Sequence, residues 1–216
     1  MTAVARPSAQ LELNHIELVY RPGERDLARR VFEVLGCRVL DFGGPFLTAQ
    51  LSPERRDLVN NVMYASEVLP EQWELEKRLV EVASDPEQGR LSDAIDAYAA
   101  RLDQDPQRSF HFGLRTDDQP AYEATLERIR ELADFDRGDD ELAGRVSLVG
   151  VYRPGDPGSL VDTMIQAFVH TDVVASGLLA FGQHVELQCH LAVDGAESPH
   201  PDRMAEAPSS DMEDDR

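Results

Sequence analysis

One order of elements, strand then helix then three strands, occurs twice along this 216-residue chain, and a repeat at so long a period restricts the fold more than any local motif does. Residues 11–20 read Leu-Glu-Leu-Asn-His-Ile-Glu-Leu-Val-Tyr, a strand pattern rich in branched side chains. Residues 109–116, Ser-Phe-His-Phe-Gly-Leu-Arg-Thr, share its local pattern of histidine, apolar residue, any residue, leucine. After the first strand, the turn Arg21-Pro22-Gly23 leads into a helix with Leu27, Val31, Val34 and Leu35 on one stripe and Gly36 in the stopping position. In the second half Pro120 stands near a helix start, followed at helical spacing by Tyr122, Leu126 and Ile129. Strands are expected over 37–42, 46–51 and 60–68, and again over 145–153, 160–170 and 184–191. Gly43-Gly44-Pro45 and the charged stretch Pro53 to Asp57 divide the first set, and Pro154-Gly155-Asp156-Pro157-Gly158 divides the second.

Side chains alternate between the faces of a strand, so each strand predicts two faces. His15 shares a face with Glu17 and Val19, against Ile16 and Leu18. His111 lies with Gly113 and Arg115, against Phe110, Phe112 and Leu114. Glu186 lies with His184, Gln188 and His190, against Val185, Leu187 and Cys189. In all three strands one face is the more polar and the other is suited to packing under a helix.

On these residues and this order the chain resembles the vicinal-oxygen-chelate superfamily, which holds glyoxalase I, extradiol dioxygenases, methylmalonyl-CoA epimerase and the fosfomycin- and bleomycin-resistance proteins. The resemblance covers roughly residues 11–69 and 108–191. It implies an α+β fold of two paired βαβββ modules forming a cupped mixed sheet, to which this chain adds a helical inter-module connection. The implied division is a flexible N-terminus over 1–10, a first module over 11–69, the helical connection over 70–107, a second module over 108–192 and a disordered acidic tail over 193–216. Carried over by position, the metal ligands are His15, His111 and Glu186. The corresponding position on the last strand of the first module falls near Tyr64, where glyoxalase-like relatives place a carboxylate or amide.

Two histidines and a carboxylate with open coordination positions suit oxygen-activating iron and Lewis-acid chemistry. The resemblance therefore implies a divalent-metal enzyme, foremost an extradiol-like Fe(II) dioxygenase acting on a small vicinally oxygenated substrate, with His184 or Tyr64 handling a proton. Mn(II), Ni(II) or Zn(II) on the same ligands would suit a glyoxalase-like lyase or isomerase. The other alternative is a metal-free protein of the same fold that binds a small molecule, as the drug-binding branch does. The remaining histidines, His170, His190 and His200, are weaker candidates.

Charge narrows the partners. Forty-one acidic against 21 basic residues give a formal charge of −20, which argues against nucleic acid, anionic membranes and highly anionic substrates. No clustered Arg/Lys pocket of the sort phosphonates or CoA need is evident, and no glycine-rich phosphate loop. The two cysteines, Cys37 and Cys189, read as reduced core thiols, and the N-terminal residues have no apolar signal core, so a cytoplasmic location is expected. No run approaches the ~20 apolar residues of a membrane span.

Two segments set the chain apart within the resemblance. Pro70 opens a helical stretch with Trp73, Leu75, Leu79 and Val82, Ser84-Asp85-Pro86 interrupts it, and a second stretch carries Leu91, Ile95, Tyr98 and Leu102. This connection could cap the cup, pack on the back of the sheet or mediate a homodimer. Residues 171–183 form an apolar join that reads as a lid, a buried plug or an oligomer contact.

Overall fold

The structure, a computed structural model, describes residues 13–52, 60–85, 87, 89–133, 140–159 and 161–191. The expected flexible N-terminus, the charged stretch 53–57 and the acidic tail fall wholly or almost wholly outside them, as does His200.

The chain is an α+β protein with two mixed sheets. The first half supplies β1 (His15–Tyr20), α1 (Arg25–Val34), β2 (Arg38–Asp41), β3 (Phe46–Gln50) and β4 (Val62–Glu67). Two helices follow, α2 (Pro70–Ala83) and α3 (Arg90–Gln104). The second half supplies β5 (His111–Thr116), α4 (Gln119–Ala133), β6 (Val146–Tyr152), β7 (Met164–Thr171), a two-residue β8 (Val174–Ala175) and β9 (Gln183–His190). The strand expected over 160–170 begins only at Met164.

Each half pairs its first strand parallel to its last, β1 with β4 and β5 with β9, and continues antiparallel through β3 to β2 and through β7 to β6. The orders are β2-β3-β4-β1-β8 and β5-β9-β7-β6. Strand β8 is the exception to the repeat. It leaves the second sheet after β7 and runs antiparallel to β1, with Val19 opposite Ala175 and Tyr20 opposite Val174.

Helix α1 forms because Ala28, Val31 and Phe32 recur at helical spacing and are all buried. It stops at Gly36, whose φ of 90° is the left-handed conformation glycine adopts without a Cβ clash. The amides of Gly36 and Cys37 turn back onto the carbonyls of Glu33 and Phe32 at 3.1 and 2.9 Å. Val31 and Phe32 join Leu126 and Ile129 of α4, Met63 and Ala65 of β4 and Val185 and Leu187 of β9 in one cluster. Both sheets thus bury their helix-facing sides in a single core, where each large apolar side chain stabilises the fold by about 1.5–3 kcal/mol.

Ion pairs fix how the halves meet. Arg145 grips Glu24 with two bonds of 2.9 Å and reaches Asp172 at 2.8 Å, while Arg21 binds Asp172 at 3.0 Å. Arg30 of α1 holds Asp140 at 2.6 Å. Burial works against charge on Asp172, but the hydrogen bonds from Arg145 and the nearby Arg21 outweigh it and keep its carboxyl below the usual range. Among the described residues, no helix is long and apolar enough to cross a membrane.

Arg145→Met removes one of the two cations that Glu24 and Asp172 share, leaving only Arg21. It should lower the urea unfolding free energy at pH 7 by about 2 kcal/mol, between the values for exposed and buried pairs. Because the carboxyl of Asp172 is lowered in the folded state, its contribution is present above the unfolded value of about 3.9 and is lost as pH falls through the lowered one. The difference between wild type and variant should therefore shrink below about pH 4.

Candidate binding site on the second sheet

The site follows from the alternation along β9. Val185, Leu187 and Cys189 are buried in or against the core, so His184, Glu186 and Gln188 face the other way. Register brings His111 opposite His184 and Gly113 opposite Glu186 on one side, and His170, Phe168 and Gln166 opposite His184, Glu186 and Gln188 on the other. A polar face results, and much of it is enclosed: Glu186 is 6% exposed, Gln166 4% and His184 0%.

The centre of this face is the Glu186 carboxylate, held by a hydrogen bond on one side and flanked by an imidazole on the other. Gln166 donates from Nε2 to Glu186 Oε1 at 2.5 Å, and His111 Nε2 lies 3.5 Å from Glu186 Oε2. His111 Nδ1 donates to the Ser109 carbonyl at 3.0 Å, since a carbonyl can only accept. With Nδ1 so engaged, Nε2 is left beside Oε2 of the carboxylate, and in the ring's uncharged form a hydrogen-bond donor placed between them satisfies both. The amide oxygen of Gln166 is also buried without a donor among the described residues. Aromatic rings pack behind the imidazole. The His111 ring stands edge-on to Phe168 at 5.3 Å and 86°, and Phe168 to Tyr152 at 6.0 Å and 79°.

Access runs past Gly113, which is exposed. A Cβ at this position would sit 3.6 Å from Glu186 Oε2, so the absent side chain leaves the narrow opening over a largely buried carboxylate. A separate cleft of about 460 Å³ at this edge, bordered by Gly113, Arg115 and Gln188, opens toward Leu114, Tyr122 and Leu187 on the helix side and toward Gly36, Ser52 and Asn61 of the first half; His111 and Glu186 do not line it.

The structure brings together two of the three expected ligands. His15 is exposed on the other sheet, its Nδ1 2.8 Å from Asn14 Oδ1 and its ring 5.7 Å from that of Tyr64. Among the described residues, no group of three or more His, Cys, Asp or Glu side chains could hold a metal ion. Tyr64 stands on β4 between His15 and Phe46, whose ring is 6.4 Å away. His184 is on the face of Glu186, fully buried beside His170 at a ring distance of 5.0 Å. His190 ends β9. Cys37 and Cys189 are both free and buried, and burial pushes the Cys37 thiol up to about 12.

Residues 171–183 form a packed plug. Val173, Val174, Ala175 and Leu179 are buried, and Glu76 of α2, 1% exposed, accepts 2.8 Å bonds from the amides of both Leu179 and Ala180. Gln183 accepts from Ser176 and donates to the His184 carbonyl. The stripes expected on the connecting helices are only partly buried: Leu75 is 51% exposed, and Leu91 and Tyr98 are exposed as well. The buried position on α2 is the carboxylate of Glu76, because the segment it covers needs an acceptor for two amides rather than another methyl group.

Three residues of this region escaped the sequence reading. Gln166 and Phe168 were detectable by parity with His170, and Glu76 by its place in the row Trp73, Glu76, Leu79. Compared with protein-family models, with curated proteins and with solved structures, the chain matches none.

Gly182 links the plug to β9 with φ of 65°, and a Cβ there would meet the Thr171 carbonyl oxygen at 2.6 Å and His170 Nε2 closer still. Gly182→Ala should lower the unfolding free energy by about 2–4 kcal/mol, combining left-handed strain with overpacking. Urea denaturation checks this.

Proposed function

We propose that this chain is a small-molecule-binding protein of the vicinal-oxygen-chelate architecture, taking a vicinally dioxygenated ligand at His111 and Glu186. The repeated strand order, with first and last strands parallel in each half, supports that architecture of two paired βαβββ modules. What carries the binding reading is the 3.5 Å separation of His111 Nε2 and Glu186 Oε2, two acceptors side by side with the imidazole's other nitrogen already engaged. Adjacent hydroxyls of one ligand supply the two donors. Phe168 backs the His111 ring, and Gly113 adds no side chain at the approach.

The extradiol-like Fe(II) reading, and its Mn(II), Ni(II) and Zn(II) counterparts, takes His15 as the third donor. Its donor set does not fit this site, since among the described residues the pair at Glu186 stands without His15.

Calorimetric titration of chelator-treated protein with catechol tests the proposal. Saturable one-to-one binding is expected, weakened at least tenfold by Glu186→Gln, which replaces one acceptor oxygen with a donor, and unchanged by Tyr64→Phe. Absence of binding, or equal affinity in the Glu186→Gln variant, contradicts it. Gly113→Phe, which fills the approach to the carboxylate, should abolish binding and leave the urea midpoint of the protein close to that of wild type.

A further inference from the structure

The outer face of the first sheet carries a second, chemically different recess. By register, Glu17 lies opposite Tyr64, Thr48 opposite Tyr64, and Phe46 two residues along β3 from Thr48, so these side chains share the face that turns away from the core. The turn between β2 and β3 brings Phe42 to the same place. Together with Gly44 and Pro45 they line a hollow of about 410 Å³. Its aromatic walls are uncovered: Phe42 is 75% exposed and Phe46 48%. Glu17, also exposed, makes no hydrogen bond or ion pair among the described residues.

The walls are held in place before any ligand arrives. Arg25 binds both oxygens of Asp41, at 3.0 and 2.7 Å, and donates to the Phe46 carbonyl at 3.2 Å. Asp41 in turn accepts from the amide of Gly43 at 2.9 Å. The turn carrying Phe42 is therefore braced at both ends, which lowers the ordering cost of binding.

We propose that this hollow is a binding site for an organic cation, an alkylated ammonium group seated among Phe42, Phe46 and Tyr64 with its charge met by Glu17. Aromatic faces attract a cation through the ring quadrupole, and several rings with one carboxylate suit a quaternary ammonium better than a hydrated metal or a neutral apolar group. The formal charge of −20 draws cations toward the molecule. The site is on the other sheet from Glu186 and does not rest on the reading given for that residue.

Choline and its neutral isostere 3,3-dimethylbutan-1-ol, titrated into the full chain and followed by calorimetry, test the assignment. Choline should bind with one-to-one stoichiometry and the isostere at least tenfold more weakly. Glu17→Gln and Phe42→Ala should each weaken choline at least fivefold; both positions are exposed, so neither change disturbs the core. Glu186→Gln should leave choline binding unchanged, which keeps this test separate from that of the catechol site. Equal binding of choline and the isostere, or undiminished choline binding in both first-sheet variants, overturns the proposal. Failure of choline to bind a wild-type dimer that Phe42→Ala dissociates would show the face to be covered by a second copy of the chain, and also overturns it.

Discussion

Glu186 occupies its position because its neighbours on either side, Val185 and Leu187, are buried in the core shared by both sheets. With a period of two, burying those side chains turns Glu186, His184 and Gln188 to the opposite face. The parallel pairing of β5 with β9 then fixes what stands beside them. A shift of one residue in that register would exchange the whole set, replacing His111 and Gly113 with Phe112 and Leu114. The polar face of the second sheet is therefore a consequence of how its apolar face is packed, and a mutation that loosened Val185 or Leu187 would disturb Glu186 without touching it.

Enclosing so many polar groups is costly unless each finds a partner. The plug over 171–183 illustrates how that cost is met: Glu76 satisfies two amides at the start of a short helical turn, and Gln183 satisfies Ser176 and a strand carbonyl. Among the described residues, the amide oxygen of Gln166 is buried without a donor, beside the carboxylate of Glu186. The same economy of partners separates the two recesses, since Glu17 has no partner among the described residues in a setting of exposed aromatic rings, while Glu186 is held by an amide and flanked by an imidazole. One chain thereby presents two carboxylates of different character, one suited to hydroxyl donors and the other to a permanent cation.

Much of this was legible in the sequence. Alternation in His184–His190 and in His111–Thr116 gave the faces of β9 and β5, and helical spacing gave α1, α4 and the two connecting helices. Strand β8 was not legible, because two residues within an apolar join show no period. Nor was the separation of His15 from His111 and Glu186. Local periodicity says which way a side chain points from its own strand, and it is silent on which faces of two different sheets meet. Position in a repeat assigned those three residues to one centre, whereas the structure pairs only the two whose strands are hydrogen-bonded neighbours.

A crystal structure of the protein grown with Co(II) tests this division most directly. The account predicts His111 beside Glu186 on the second sheet, His15 beside Tyr64 on the first, and no ion shared by the three. A single cobalt bonded to His15, His111 and Glu186 together, at the roughly 2.1 Å typical of such ligands, would contradict it.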